Sequence, residues 1–441
     1  MSLKKSISFT FTAQIINTII GFFTSVIITR ILGAEGRGEY AIYINSIAFA
    51  VLFFGFSINS TIPYFINAGR VKADELLTTL ILFIGLSTLL VYTSLYVLQH
   101  YGALGVALPK SIQSFHFRLI FTGIYFITLL TSVLTTYLLA YNKFKEVSIY
   151  SVFLQALPAV IYLLMFTNLI PYNHNNPFES VAIVMAIVAL LTVIVVIFVF
   201  NTVLPVKLIN KTISRHLIKQ FILFSALAYL GNLATFFNYK LDFWVIDFYW
   251  GKSQLGIYSL GAQLSQLLWI LPTSIASVLY TYASNCSEAE AVNYAIKLKQ
   301  IAFYGTLIFA AVGMLLAYYF IPILYGQEFI KTFELMKIFM FGIIPFSIPT
   351  VLASLFAARG NFKISFVISL VILLFATAMY FTFIPKWGLK GGALASAITY
   401  ITASLSCELW FCRIYKVPFY NLFVFDQNFF SVKKIKSYFK Q

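Results

Sequence analysis

The sequence predicts an all-α membrane protein with twelve transmembrane helices in two parallel six-helix lobes. Hydrophobic residues make up 61% of the 441-residue chain and charged residues only 10%, with a mean hydropathy of +0.90. A soluble protein of this length cannot bury that much apolar surface. Apolar windows of spanning length recur along the whole chain, and one glycine motif occurs twice, about half a chain length apart.

The apolar windows define the spans one by one. A helix needs about 20 mostly apolar residues to cross the hydrocarbon core, and proline inside such a helix is tolerated when neighbours satisfy the freed backbone groups. The predicted spans cover residues 8–29, 40–62, 76–98, 117–140, 147–170, 180–203, 219–239, 255–280, 300–322, 334–357, 364–384 and 391–412.

The basic residues predict the orientation of these spans. Most of the 30 Lys and Arg residues fall in the connections on the side of the two termini, and loops rich in Lys and Arg face the cytoplasm. Both termini are therefore predicted to be cytoplasmic, with residues 415–441 forming a basic tail. The net charge of +16 then reflects topology and attraction to anionic lipid headgroups, and no nucleic-acid partner is expected.

A repeated glycine motif indicates an internal duplication. GAEGRGEYA begins at Gly33 and GKSQLGIYS at Gly251, and both follow the pattern G-x4-G-x-Y. AYNKFK at Ala140 and ARGNFK at Ala358 give the same offset of 218 residues. Two six-helix copies insert in the same direction as parallel repeats. We therefore predict an N-lobe at 1–206 and a C-lobe at 207–414, which enclose a cavity that opens to alternate sides, as in transporters.

Charged residues near the spans are the first candidates for a binding site, because an ionised group within a span must face protein or water. Arg30, at the end of span 1, is interpreted either as a cation at the mouth of the cavity or as a side chain that snorkels to the interface. Arg118, near the start of span 4, has the same two interpretations. Glu35 and Arg37 are interpreted as parts of a solvated, glycine-rich turn.

Span 7 carries a further pair of charges. Lys240 and Asp242 are two residues apart, so on a helix they point about 160° away from each other and are not expected to form one ion pair. Asp242 lies deep in the apolar run and is the strongest single candidate, with a structural pairing as the alternative.

Polar uncharged residues form two further candidate pairs. Gln14 and Asn17 share a helix face, as do Gln263 and Gln266, and each face either joins helices or lines an aqueous cavity. The three cysteines and four histidines show no metal-binding spacing. GKS at 251–253 lacks the upstream glycine of a phosphate loop. No metal or cofactor is therefore expected.

Three stretches carry a resemblance to a known family: RILGAEGRGEYAIY, DFWVIDFYWGKSQLGIYSLGAQL followed by the intramembrane Pro272, and GLKGGALASAITY. The chain resembles the bacterial polysaccharide flippases of the multidrug/oligosaccharidyl-lipid/polysaccharide exporter superfamily. The resemblance implies a V-shaped, MATE-like bundle in the bacterial inner membrane. It also implies translocation of undecaprenyl-pyrophosphate-linked oligosaccharide repeat units by alternating access, for O-antigen or capsule synthesis.

The resemblance also implies roles for particular residues. The arginine at the end of span 1 corresponds to Arg30, and the acidic position of span 7 to Asp242. The family often has a basic residue in span 8 where this chain has Gln263. Anion binding is therefore expected to rest on Arg30, Arg118 and Lys240, because paired guanidinium hydrogen bonds suit phosphate oxygens.

Other functions remain as alternatives. A multidrug or metabolite cation antiporter of the same superfamily should have several intramembrane carboxylates, and only Asp242 is obvious here. A membrane-embedded glycan polymerase or glycosyltransferase needs larger outer loops, so no enzyme is expected. Expected partners are the lipid-linked oligosaccharide, membrane lipids, and the glycan polymerase and chain-length machinery. The residues leave open whether Na⁺, H⁺ or membrane potential drives the cycle.

Overall fold

The computed structural model describes residues 3–60, 62–67, 72–206 and 215–417. Its regular structure is helical throughout these residues. The predicted tail beyond residue 417 and the boundary between the predicted lobes, at 207–214, lie outside them. The α-helices are α1 (Leu3–Gly55), α2 (Ile62–Asn67), α3 (Ala73–His100), α4 (Phe115–Ala140), α5 (Phe144–Phe166), α6 (Pro177–Val203), α7 (Arg215–Gln266), α8 (Ile270–Ala283), α9 (Glu288–Leu324), α10 (Ile330–Ala358) and α11 (Phe362–Tyr415).

Nine helices in the described part of the chain are long and apolar enough to cross a membrane. The predicted class, an all-α multi-pass membrane protein, is therefore confirmed. Three of the nine candidates contain 47, 55 and 53 residues, more than twice the length that one crossing needs. Each of these three contains one glycine with non-helical backbone angles, at Gly33, Gly251 and Gly388.

Gly33 and Gly251 break their helices with nearly the same backbone conformation. The angles are φ 64° and ψ −172° at Gly33, and φ 78° and ψ 178° at Gly251. Glycine adopts positive φ readily, because it has no Cβ to clash with the backbone. The two residues occupy the first position of the repeated motif, so the duplication seen in the sequence also appears in the backbone.

The second glycine of the G-x4-G-x-Y pattern, Gly38 in one copy and Gly256 in the other, lies where α1 and α7 cross. A Cβ atom on Gly38 would overlap the backbone carbonyl of Lys252, and one on Gly256 would overlap that of Ala34. These contacts are reciprocal, because Lys252 and Gly256 lie 218 residues after Ala34 and Gly38. We call these four residues the glycine crossing. It explains why the motif needs glycine at this position in both copies.

The described helices form two compact units. The first comprises Met1–Leu264, Met314–Ile338 and Leu373–Ser396, and the second comprises Ser265–Gly313, Phe339–Ile372 and Ala397–Gln441. The predicted lobes, residues 1–206 and 207–414, are the two copies of the sequence repeat and not these compact units. They stay a prediction.

Each unit has its own core. In the first, Tyr43 of α1 packs edge-on against Phe121 of α4 and Phe178 of α6, with ring centroids 5.7 Å apart in both pairs. In the second, Lys299 of α9 and Glu408 of α11 form a buried ion pair beside an apolar cluster that includes Phe411. Each charge compensates the desolvation of the other.

Candidate functional site

Arg37 is the least exposed cation among the residues of the first unit whose burial the structure describes. The second segment of α1, residues 34–55, begins directly after Gly33, so Arg37 lies in a helix and is only 4% exposed. The interpretation of this stretch as a solvated turn is therefore wrong for Arg37, whereas Glu35 is exposed as expected. No turn forms because the change in helix direction occurs at Gly33 alone, and the helix resumes at residue 34.

The Arg37 guanidinium contacts neutral groups. Its Nη2 donates to Gln263 Oε1, its centre lies 5.4 Å from the Tyr40 ring, and its buried Nε has no acceptor. Gln263 Oε1 also accepts from Ser25 Oγ at 3.2 Å. The ion pairs of the described chain are Lys252–Asp247, Lys299–Glu408 and Lys390–Glu334, and Arg37 belongs to none of them. A buried positive charge without a carboxylate partner makes this position receptive to an anion.

Lys240 brings a second positive charge to the same neighbourhood. Its ammonium lies 4.7 Å from the centroid of the Phe243 ring, and it interacts electrostatically with Asp242 and Arg37. No ion pair joins Lys240 to Asp242 among the described residues, as their spacing predicted. Arg37 repels Lys240, and Asp242 attracts Lys240 more strongly; a bound anion would offset the repulsion between the two cations.

Asp242 is held in a buried hydrogen-bond network. It is 3% exposed, and its carboxylate accepts from the Tyr258 hydroxyl at 2.5 Å and from the Phe243 backbone N–H at 3.0 Å. Ser396 Oγ lies 3.3 Å from the Tyr258 hydroxyl and 3.2 Å from that of Tyr380. The network joins α7 to α11, which corresponds to the structural pairing kept as the alternative for Asp242.

This network gives a stability prediction. Tyr258→Phe removes the hydroxyl that donates to Asp242 Oδ2 and leaves a buried carboxylate oxygen unpaired, so we expect the free energy of unfolding to fall by about 1–3 kcal/mol. Denaturant titration of the purified protein in detergent measures the change. Tyr249→Phe, at an exposed position of the same helix, is the control, and equal unfolding free energies in both variants would contradict the role of the network.

Arg30 contacts the carboxyl end of α9. Its Nε donates to the carbonyl of Leu324 at 2.7 Å and its Nη2 donates to that of Ile323. The last carbonyls of a helix have no partner within the helix, and a cation there also balances the helix dipole. Arg30 is exposed. Two of its guanidinium nitrogens, Nε and Nη2, are used in these structural hydrogen bonds.

Arg118 lies away from these groups, on α4. It is 8% exposed, donates from Nη1 to Gln99 Oε1, and lies 5.7 Å from the centroid of the Phe115 ring. Its Nε is buried without an acceptor. The pairing with Gln99 joins α4 to α3.

The polar pairs separate in the structure. Gln14 is exposed, whereas Asn17 donates to Ser151 Oγ at 3.2 Å and so joins α1 to α5. Gln263 contacts Arg37 in the first unit, and Gln266 belongs to the second unit. Of the eight candidate residues, Gln263 contacts Arg37 and Lys240 interacts with it electrostatically; Arg37 itself was not among the candidates.

Helix spacing is the sequence signal that could have identified Arg37. Ile44, Ala48 and Val51 follow it by 7, 11 and 14 residues, so all four side chains share one face of α1. Ile44 lies about 10 Å further along the helix axis. The other three residues line a cavity, so this face carries a cation at one end and an apolar wall at the other.

The cavity belongs to the first unit and has a volume of about 640 Å³. We call it the aliphatic cavity. Its lining residues are Ile44, Ile47, Ala48, Val51, Leu52, Ser57, Asn59, Ile124, Thr128, Met185 and Asn232. Within the part of the chain that the structure describes, no group of three or more His, Cys, Asp or Glu side chains is arranged to hold a metal ion.

Solved structures share this fold. An inward-facing multidrug transporter of the MATE family superposes with a TM-score of 0.69 at 15% identity, covering 92% of this chain and 95% of that one. A lipid II flippase, MurJ, in an inward closed conformation gives 0.68 at 16% identity, covering 92% and 89%. A Vibrio cholerae MATE transporter, VcmN, in a bent form gives 0.62 at 13% identity, covering 93% and 97%.

The long apolar helices define a multi-pass membrane protein, whose fold is shared with solved transporters. Its sequence matches the family described as polysaccharide biosynthesis protein over residues 3–287, and the chain belongs to that family. A curated relative, the capsular polysaccharide biosynthesis protein CapF of Staphylococcus aureus, is 22% identical over 423 residues, covering 94% of this chain and all of the relative. The family match confirms the resemblance to a polysaccharide biosynthesis family, and the solved structures share the fold that the resemblance implies.

Proposed function

We propose that this protein translocates undecaprenyl-pyrophosphate-linked oligosaccharide repeat units from the inner to the outer leaflet of the bacterial inner membrane, for capsule or O-antigen synthesis. Membership of the polysaccharide biosynthesis family supports the glycan, as does the similarity to a capsular biosynthesis protein. The fold shared with a lipid II flippase supports a lipid-linked substrate. The substrate crosses the bilayer without any change in its covalent bonds.

The observation that carries the proposal is the buried Arg37 guanidinium with Lys240 as its neighbour. A pyrophosphate cannot enter hydrocarbon without compensation of its charge. Arg37, which has no carboxylate partner, and Lys240, which Asp242 attracts without forming an ion pair, would compensate it, and Arg37 offers an uncommitted Nε for a phosphate oxygen. Of the cations predicted to bind the anion, Lys240 remains in this role, whereas Arg30 and Arg118 are engaged in hydrogen bonds between helices.

The architecture proposed with this function has twelve spans. The glycine breaks at Gly33, Gly251 and Gly388 divide three over-long helices into two crossings each, which raises nine candidates to twelve. We propose that residues 1–206 and 207–414 are parallel lobes, that both termini are cytoplasmic, and that the lobes expose the site to alternate sides. An ion gradient of Na⁺ or H⁺, or the membrane potential, would drive the cycle, and glycan polymerase and chain-length proteins would act on the product.

A cation antiporter is the second candidate, and the fold shared with MATE multidrug transporters favours it. Such a protein needs a carboxylate that faces its substrate. Asp242 is the carboxylate nearest to Lys240 along the chain, and it is buried with both oxygens hydrogen-bonded. The two candidates therefore predict opposite charges for the transported molecule.

Transport by the purified protein in lipid vesicles tests both candidates. We expect a fluorescent undecaprenyl-pyrophosphate oligosaccharide, initially in the inner leaflet, to become accessible to a membrane-impermeant glycosidase added outside. Vesicles that lack the protein are the control. Transport of ethidium without movement of the oligosaccharide would favour the antiporter and overturn the flippase proposal.

A further inference from the structure

The aliphatic cavity contains no ionisable side chain among the eleven residues that line it. Seven of the eleven are aliphatic or Met side chains, contributed by α1, α4 and α6, and the others are Ser, Thr and Asn. Such a wall offers no compensation for a charge, so neither a pyrophosphate nor a cationic drug is stable inside it. An apolar ligand is the class that the wall favours.

Four polar side chains, Ser57, Asn59, Thr128 and Asn232, complete the lining of the cavity. Asn232 Nδ2 donates to Ser57 Oγ at 3.1 Å, and Asn59 Nδ2 donates to Ser132 Oγ at 2.6 Å. Asn59 Oδ1, in contrast, is buried and accepts no hydrogen bond. A buried acceptor of this kind is costly unless a donor reaches it. A ligand that carries an O–H or N–H group beside its apolar part would supply this donor once the Asn59 side chain turns toward the cavity.

The size of the cavity indicates how much of a ligand it holds. Its volume of about 640 Å³ is about twenty times the ~30 Å³ that one molecule occupies in liquid water. That is room for one hydrocarbon chain of about twenty methylene-sized groups, and it falls within the range of small-molecule binding pockets. Chains of this kind are supplied by acyl lipids and by isoprenoid carriers.

We propose that the aliphatic cavity is a binding site for a single hydrocarbon chain of a membrane amphiphile, with Asn59 accepting a hydrogen bond from a hydroxyl or N–H group of the ligand. The site is separate from the cations, since its wall begins about two helical turns beyond Arg37 on the same face of α1. It does not depend on the proposed flippase activity, because a lipid chain can occupy it whether or not any substrate crosses the membrane.

Photolabelling of the full-length protein in nanodiscs tests this site. Two probes are used, a phosphatidylethanolamine with a diazirine in one acyl chain and a polyprenol with a diazirine in its isoprenoid chain. We expect cross-links to Ile44, Ala48 or Ile124, located by mass spectrometry of the peptides. The probe that labels more strongly identifies the source of the chain, and labelling by either supports the site.

Two variants fill the cavity from different helices. Thr128→Phe on α4 and Ala48→Phe on α1 place a ring in the cavity, and each is expected to abolish the cross-links. Leu119→Phe, on an exposed face of α4, is the matched control and should label like the unmodified protein. Gel filtration and an unfolding titration identify any variant that does not fold, and the other filling variant then decides.

Asn59→Leu tests the polar part of the site. Loss of one hydrogen bond is expected to weaken labelling by the polyprenol about fivefold, because its hydroxyl lies at the end of its chain. Labelling by the phosphatidylethanolamine should not change, because its ammonium is separated from the acyl chains by the phosphate and the glycerol. Absence of cross-links from both probes, or equal labelling of Leu119→Phe and the folded filling variants, would overturn the proposal. The cross-linking experiments do not measure transport. A negative result would therefore overturn the lipid-chain site without contradicting the proposed export activity, which the vesicle transport assay tests.

Discussion

Gly256→Ala is expected to destabilise the protein and to lower export strongly, although it adds only one methyl group. The ideal Cβ position at Gly256 overlaps the backbone carbonyl of Ala34 and lies 3.1 Å from the Gly38 nitrogen. Backbone atoms of a helix cannot move aside as the tip of a side chain can. The two helices must therefore separate, and overpacking of this kind costs about 1–3 kcal/mol.

The reciprocal variant and a matched control make this prediction specific. Gly38→Ala should have a similar effect, because its Cβ would overlap the Lys252 carbonyl. Gly85→Ala, on α3, has no atom within 4 Å of the added methyl and should leave both properties unchanged. The measurements are the free energy of unfolding in detergent and the amount of surface glycan at matched protein levels.

The double variant Gly38→Ala/Gly256→Ala tests whether the two contacts form one crossing. Once the first methyl has separated the helices, the second finds room, so the two destabilisations should sum to more than the effect of the double variant. Additive effects would mean that the glycines act independently. Equal stability of Gly256→Ala and Gly85→Ala would contradict the close approach itself.

The helices and the repeat could be predicted from the sequence because both signals are local. Apolar windows report membrane helices wherever they occur. The motif starting at Gly33 and its copy starting at Gly251 can be compared letter by letter. A change of direction at each motif could be predicted, but its form could not. The charged residues after Gly33 are typical of a solvated turn, whereas in the structure a single glycine with positive φ breaks each helix.

The site was predicted less well because its contacts join residues far apart in the chain. The three glycines around Arg37 predict a solvated turn, whereas in the structure Arg37 is 4% exposed and donates to Gln263 of α7, 226 residues away in the chain. The Asp242 network likewise depends on Tyr258 and on Ser396 of α11. The absence of an ion pair between Lys240 and Asp242 was predicted correctly, because that prediction needed only the helical period.

Arg37→Gln is expected to reduce glycan export by about tenfold or more without lowering the stability of the protein. The guanidinium is the buried cation that we assign to the pyrophosphate, and loss of a hydrogen bond to a charged group costs about 1.5–3 kcal/mol. Stability should be unchanged or higher, because removal of a buried, uncompensated charge relieves its desolvation penalty. Gln263 Oε1 keeps its donor, Ser25 Oγ, so the substitution does not leave it unpaired.

Arg37→Lys separates charge from geometry. It keeps the positive charge but loses the planar fork that grips two phosphate oxygens, so export should fall less than in Arg37→Gln. Arg30→Gln is the contrasting variant, because Arg30 binds the terminal carbonyls of α9. Its loss should lower the free energy of unfolding by about 1 kcal/mol.

The two arginines therefore predict opposite signatures in the same pair of measurements, unfolding in detergent and export of lipid-linked glycan. Arg37→Gln should lose export while its stability holds or rises, whereas Arg30→Gln should lose stability first, with export falling only in proportion to the folded fraction. Full export by a stable Arg37→Gln protein would remove the cation on which the proposed function depends. A loss of stability in Arg37→Gln that accounts for its loss of export would instead make Arg37 a structural residue held by Gln263, and the anion site would then have to rest on Lys240.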